Sequence, residues 1–164
     1  MAQKQHMKAS SVDDIINAYG RFVPHQFLQL MGKESVADII LGESLEKKMT
    51  VLFSDIRDFT TLSESMTPRQ NFIFINAYLE RMEPVIGRYR GVIDKYIGDA
   101  IMALFHTSAD DALDGAIGML KKLSEYNEER KRADYRPLAI GIGLNTGIMM
   151  LGTIGGKNRM ESTV

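Results

Sequence analysis

Two aspartates stand where carboxylate chemistry could be done. Asp55 lies near the end of the apolar run MTVLFSDI, and Asp99 follows Gly98 in GVIDKYIGDAIMALF. The second stretch carries Val92, Ile93, Tyr96 and Ile97 before that Gly-Asp pair and Ile101, Met102, Leu104 and Phe105 after it, the pattern of a hairpin. Gly98 can take the positive φ of a tight turn, which leaves Asp99 at the tip. Two carboxylates brought together with no Lys or Arg between them repel, and settle by sharing a proton or holding a cation. One or two carboxylates, completed by water and phosphate oxygens, are the usual seat of Mg²⁺. Two such ions suit a phosphoryl displacement, where both the attacking and the leaving oxygen carry charge. The purely structural alternative has Asp55 capping the following turn and Asp99 as an ordinary turn residue.

Whether the acids meet depends on the elements that carry them. MTVLFSDI is short and β-rich, a buried strand. Thr67 as N-cap and Pro68 at the first helical position open a long helix. Phe72, Ile75, Leu79, Met82 and Ile86 recur along it at helical spacing and form its expected buried face. After the hairpin comes a helix over about 109–127, with Ala109, Leu113, Ala116, Leu120 and Leu123 inward and Arg136-Pro137 as its break. LAIGIGLNTG and IMMLGTIGG then read as two strands joined at Asn145-Thr146-Gly147. The order strand, helix, strand, strand, helix, strand, strand is α+β, with the ferredoxin-like split βαβ sheet. A right-handed crossover makes the strands at 49–56 and 92–97 parallel. The Gly98-Asp99 turn and the end of the first strand therefore share one sheet rim, across 44 positions of sequence. Upstream, Ser11 is placed to cap an amphipathic helix over SVDDIINAY, a candidate pairing surface for a second copy. PHQFLQLMG reads as a second short helix ending at Gly32, with a linker to Lys48. The chain divides into an N-terminal helical segment over 1–45 and a main domain over 46–164.

Composition excludes several classes. The chain has 164 residues and a net charge of −1, with 20 Lys and Arg against 21 Asp and Glu, so it has no global field for nucleic acid or anionic lipid. It has no Cys, which removes disulfides, thiolate nucleophiles and cysteine zinc sites. No apolar run approaches the roughly 20 residues that span a bilayer, and the first ten residues lack a signal core. A cytoplasmic place is expected. His6, His25 and His106 lack metal or triad spacing. GIGLNTG fails the dinucleotide fingerprint, so Gly141 and Gly143 read as close-packing strand positions. KKLSEYNEERKR reads as a solvated helix end.

VLFSDIRDFTTLSE, DKYIGDAIMALF and LAIGIGLNTGIMMLGTIGGKNRMESTV, in that order and spacing, resemble the class III nucleotidyl cyclase catalytic domain, close to the cyanobacterial type of bacterial adenylyl cyclase. YGRFVPHQFLQLMGKESVADIILGE resembles the transducer segment that couples such domains to an upstream sensor. The resemblance implies that Asp55 and Asp99 bind two Mg²⁺ or Mn²⁺ ions together with the backbone carbonyl of Ile56. It implies that Phe59 and Thr60 lie in the loop around the triphosphate. Lys95 and Thr163 match the two purine-reading positions. A lysine only donates, which suits adenine N1, and a threonine hydroxyl can accept from the adenine amine. The implied reaction takes ATP to 3′,5′-cyclic AMP and pyrophosphate in a head-to-tail homodimer. In that dimer one subunit gives the aspartates and its partner the purine readers.

Two departures bear on this. Asp58 stands where the family usually has Gly. The family's transition-state Asn and Arg, and a later phosphate-binding Lys, are expected beyond Val164, so residues 1–164 alone are expected to be nearly inactive. The alternatives are a catalytically silent nucleotide-binding or dimerisation module, and a guanylyl cyclase, which Lys95 disfavours.

Overall fold

The computed structural model describes residues 25–164 apart from Lys157. The helix expected over SVDDIINAY lies outside these residues. In chain order come α1 (His25–Leu30), a 3₁₀ turn (Val36–Asp38), β1 (Ser44–Ile56), α2 (Phe59–Glu64), α3 (Pro68–Arg88), β2 (Val92–Ile97), β3 (Ala100–Phe105), α4 (Ala109–Arg132), β4 (Ile140–Gly156) and β5 (Arg159–Thr163). The sheet order is β2-β3-β1-β4-β5 with every neighbour antiparallel. β1 and β2 are thus parallel to each other with β3 between them. This is the α+β split βαβ sheet that the sequence implied.

α3 starts where local chemistry dictates. The Thr67 side chain accepts from the Gln70 N–H, the Gln70 side chain returns to the Thr67 N–H at 2.8 Å, and Pro68 needs no N–H partner. The buried row is Phe74, Tyr78, Met82 and Ile86, spaced by four. Ile75 and Leu79 flank it, and Phe72 faces out with 73% of its surface exposed. The expected row is therefore kept at Met82 and Ile86, while towards the N-terminus Phe74 and Tyr78 take the buried positions in place of Phe72. In α4 the inward residues are Ala112, Gly115, Ala116, Met119, Leu123, Tyr126 and Arg130, whereas Leu113 and Leu120 are exposed. The helix end expected to be solvated buries Tyr126 and Arg130. The Arg130 guanidinium lies over the rings of Phe74, Tyr126 and Tyr135, and its Nε donates to the Arg136 carbonyl at 2.8 Å. Stacked arginine is less strongly hydrated than lysine, which makes this burial tolerable.

One correction concerns β4. Asn145, Thr146 and Gly147 are not a turn. They pair with Val51, Thr50 and Met49 inside a ladder that runs from Ser44↔Gly152 to Ile56↔Ile140. The Thr50 and Thr146 hydroxyls meet at 2.7 Å in the middle of it. β1 begins at Ser44 rather than Met49, and its extra length holds β4 straight through the polar triplet.

Alternation assigns the two faces of β1. Leu52 and Ile56 join α3 and α4 in the main core. Met49 and Val51 face the other way and form a second core with Met102, Leu104 and Leu151, covered by Phe27, Leu30 and Met31 of the α1 segment. Phe53 and Asp55 continue on that second face, beyond the cover of α1, and both are exposed.

Candidate active site

Asp55 and Asp99 arrive at one rim through two local devices. β1 ends one residue after Asp55, and the β2–β3 hairpin turns on Gly98 at φ +65°. The Ser54↔Ile101 pairing sets the turn beside the end of β1. The backbone N–H of Ile56 then donates to Asp99 Oδ2 at 3.1 Å. Burial first, and next the neighbouring Asp55 carboxylate, push the Asp99 carboxyl up to about 6. Among the described residues no Lys or Arg forms an ion pair with either acid. From the opposite face, Tyr78 Oη meets Ser54 Oγ at 3.4 Å beneath the rim. Burial raises the Tyr78 phenol above its ordinary value, with both carboxylates adding to the effect.

The donor set fits a hard divalent cation: two carboxylates without a cationic partner, at the end of a strand whose carbonyls are also at hand. No group of three or more potential metal-ligating side chains gathers among the described residues. A bound ion would therefore draw part of its shell from water or phosphate oxygens.

The loop after β1 shows why its departure matters. Asp58 has φ 56°, in the left-handed region, and makes no side-chain cap to α2. Glycine enters that region without strain, so a glycine in the family pattern is explained by the backbone, and Asp58 holds the same conformation at some cost. The Phe59 ring turns inward and stacks on Phe74 at 6.3 Å between centroids. Its ring therefore belongs to the main core. Thr60 is exposed in the first turn of α2, where backbone N–H groups lack intrahelical acceptors. Of the two glycines read as close-packed, Gly141 is so, because the Arg57 guanidinium lies where a Cβ would be. Gly143 faces open space.

Lys95 lies on the same face as the acids. It pairs with Met102 in β3, and Met102 pairs with Phe53 in β1, so the three side chains project to one side. β2 and β5 are opposite edges of the sheet, yet they touch. Lys95 Nζ donates to Glu161 Oε1 at 3.0 Å and to the Ser162 carbonyl at 2.9 Å. The sheet therefore curls until its edges meet, which brings Lys95 to the residue before Thr163. Thr163 itself pairs with Gly152 at the end of β5. Sequence reasoning missed Glu161 and Asp94 as neighbours of Lys95. The only hint was that a lysine on an apolar strand needs counter-charge.

Fold and rim together define a nucleotidyl cyclase domain, and comparison with known proteins agrees. Residues 43–161 match the family described as the Adenylate and Guanylate cyclase catalytic domain. An adenylate cyclase of Anabaena cylindrica is 40% identical over 154 residues, covering 91% of this chain and 31% of that protein. The terminal-differentiation-specific adenylate cyclase of Dictyostelium discoideum is 38% identical over 162 residues, covering 96% of this chain and 8% of that protein. Among solved structures, the guanylyl cyclase Cya2 superposes with a TM-score of 0.65 at 34% identity, over 76% of this chain and 65% of that one. The adenylyl cyclase CyaB from P. aeruginosa superposes with a TM-score of 0.63 at 34% identity, over 74% and 66%. This chain belongs to the adenylate and guanylate cyclase catalytic domain family. It spans less than a third of the length of those two curated relatives.

Proposed function

We propose that the domain is an adenylyl cyclase that converts ATP to 3′,5′-cyclic AMP and pyrophosphate. The observation that carries this is the pair Asp55 and Asp99, two carboxyls at one rim, with Asp99 pushed up to about 6 and neither in an ion pair among the described residues. In this proposal Asp55, Asp99 and the Ile56 carbonyl hold two Mg²⁺ or Mn²⁺ ions. Bound there, the ions would supply the charge neutralisation that the attacking and leaving oxygens of a phosphoryl transfer need. The ribose 3′-oxygen bonds the α-phosphorus as the α–β bridging oxygen departs with pyrophosphate. The backbone around Phe59 and Thr60 borders the phosphate chain. Lys95 gives an N–H to adenine N1, and Thr163 takes one from the adenine amine.

The second face supports head-to-tail pairing. Phe53 and Ile97 are about half exposed there, beside Asp55 and the open ground over Gly143. A second copy laid on this face would cover that apolar surface and bring its own Lys95 and Thr163 towards the acids. Its α1 segment, whose Phe27 lines the cavity at Lys95, is placed to pass on the state of an upstream sensor. No described helix is long and apolar enough to cross a membrane. A cytoplasmic place follows from ATP as substrate.

Similarity to Cya2 favours a second reading, a guanylyl cyclase. Lys95 weighs against it, because guanine N1 carries a proton and offers lysine no acceptor. Turnover of ATP and GTP with Mn²⁺ decides between them, measured on residues 1–164 and on a chain carrying the residues after Val164. We expect cyclic AMP from the longer chain, little from residues 1–164, and a loss of ATP preference in Lys95→Glu. Cyclic GMP formation with unchanged preference in that variant would overturn the base assignment. Absence of nucleotide binding and turnover in both chains would overturn the enzyme assignment in favour of a silent module.

A further inference from the structure

On the helical side of the sheet, away from the acids, α2, α3 and the C-terminal end of α4 border a cavity of about 620 Å³. α3 gives it Gln70, Ile73, Phe74 and Ala77, the spacing of one helical face. Leu62 and Met66 add apolar wall from α2 and the turn after it. Arg130 also lines the cavity, with only 7% of its surface exposed. The three rings that its guanidinium lies over, Phe74, Tyr126 and Tyr135, are all part of the same lining. Its Nε is spent on the Arg136 carbonyl at 2.8 Å. The four remaining N–H groups have no hydrogen-bond or ion-pair partner among the described residues. Neither terminal nitrogen is sealed in, so the cavity is where they open. The neighbouring Glu129 does not supply the counter-charge, because it pairs with Arg81 at 2.9 Å. A charge withdrawn from water without a counter-ion is costly, and the rings offset only part of that cost.

We propose that this cavity is a binding site for a small amphipathic monocarboxylate, separate from the rim. The carboxylate accepts two N–H groups from the Arg130 fork, which the three rings hold ready for it. The apolar body lies against Leu62, Met66 and Ile73, and covers an Ile73 side chain that is otherwise 58% exposed. The volume falls within the range of about 300–1,000 Å³ usual for small organic ligands. Lining charge selects a single negative head. Arg136 is exposed at the cavity, whereas Glu129 and Asp134 on the same lining oppose a second negative charge such as a phosphate monoester carries. The proposal goes beyond the cyclase reading and does not depend on it.

The test is a calorimetric titration of decanoate, decanol, acetate and decyl phosphate into residues 1–164 and into a chain carrying the residues after Val164. Decanoate is expected to bind once per domain in both chains, at least tenfold tighter than decanol, which lacks the charge, and than acetate, which lacks the apolar body. Arg130→Lys keeps the charge but loses the fork, and is expected to weaken decanoate with decanol unchanged. Because Arg130 is buried, a second variant leaves it in place: Ala77→Phe fills the cavity from a half-buried helix position. It is expected to lose at least tenfold in decanoate affinity at an equal thermal midpoint. Equal affinity for decanoate and decanol overturns the role of Arg130 and the proposal with it. Undiminished binding in Ala77→Phe places the ligand elsewhere and overturns it too. Tighter binding of decyl phosphate overturns the monocarboxylate assignment. Binding by residues 1–164 but not by the longer chain shows the cavity filled by the protein itself, which also overturns the proposal.

Discussion

The Ile56 N–H donates to the Asp99 carboxylate at 3.1 Å, and this bond ties the hairpin tip to the end of β1. It uses one lone pair of Asp99 and leaves the rest of the carboxylate facing Asp55. The strand order makes the meeting possible, and Gly98 at φ +65° sets the tip at the correct height. Two acids thus meet at a rim where, among the described residues, no Lys or Arg pairs with either. Two carboxyls so placed disfavour each other's ionisation, and in the proposed function divalent ions would relieve that repulsion.

Asp58 is expected to limit stability. Its φ of 56° strains an L residue by about 1–2 kcal/mol at the upper end, partly offset because Gly would loosen the unfolded chain by about 0.4–1 kcal/mol. Asp58→Gly should therefore unfold at a temperature equal to or a few degrees above the parent, and Asp58→Ala below it. Removing a negative charge next to the proposed phosphate loop should also tighten Mn²⁺–ATP binding in Asp58→Gly. Thermal melts and a nucleotide titration check both. A destabilised Asp58→Gly would contradict the strain argument.

Asp94 gives a pH dependence with a definite sign. Burial raises its carboxyl above the ordinary 3.8, with Lys95 opposing only in part. The stability linked to a raised acid is present below the unfolded value and is lost as pH rises through the folded one. Asp94→Asn cannot ionise and escapes that loss. Relative to the parent, it should gain stability from about pH 4 upward, level off above the folded value, and show no gain in more acidic buffer. Denaturant melts across pH read this directly. A gain that is the same at every pH would point to packing instead.

Two glycines separate packing from surface. A Cβ on Gly91 would sit 2.6 Å from both Ile86 Cγ2 and Phe105 Cζ, inside the main core. Gly91→Ala should cost about 1–3 kcal/mol, the usual scale of overpacking. A Cβ on Gly143 meets nothing within 4 Å, so Gly143→Ala should stay within about 0.5 kcal/mol of the parent. Chemical denaturation of both variants checks the contrast.

The order of elements and the shared rim were legible because strand pattern, cap chemistry and crossover hand are local or general rules. The helix faces were less so. α3 has apolar residues at 72, 73, 74 and 75, and spacing alone admits more than one row. Tertiary contacts chose the row of Phe74 and Tyr78: Ser54 waits for the Tyr78 hydroxyl, and Arg130 lies on the Phe74 ring. Asn145-Thr146-Gly147 carries turn residues but is held extended by a partner strand 13 residues long. The Lys95 clamp joins positions 66 apart, across a curl of the sheet that no local pattern records.

The central claim is that Asp55 and Asp99 jointly hold divalent ions under a nucleotide. The most direct measurement is a Mn²⁺ titration followed by electron paramagnetic resonance, with a non-reacting ATP analogue present. Asp55→Asn and Asp99→Asn should each weaken ion binding at least tenfold, the scale of one lost charged ligand, while leaving the fold intact. Undiminished Mn²⁺ binding in the doubly substituted protein would contradict the account.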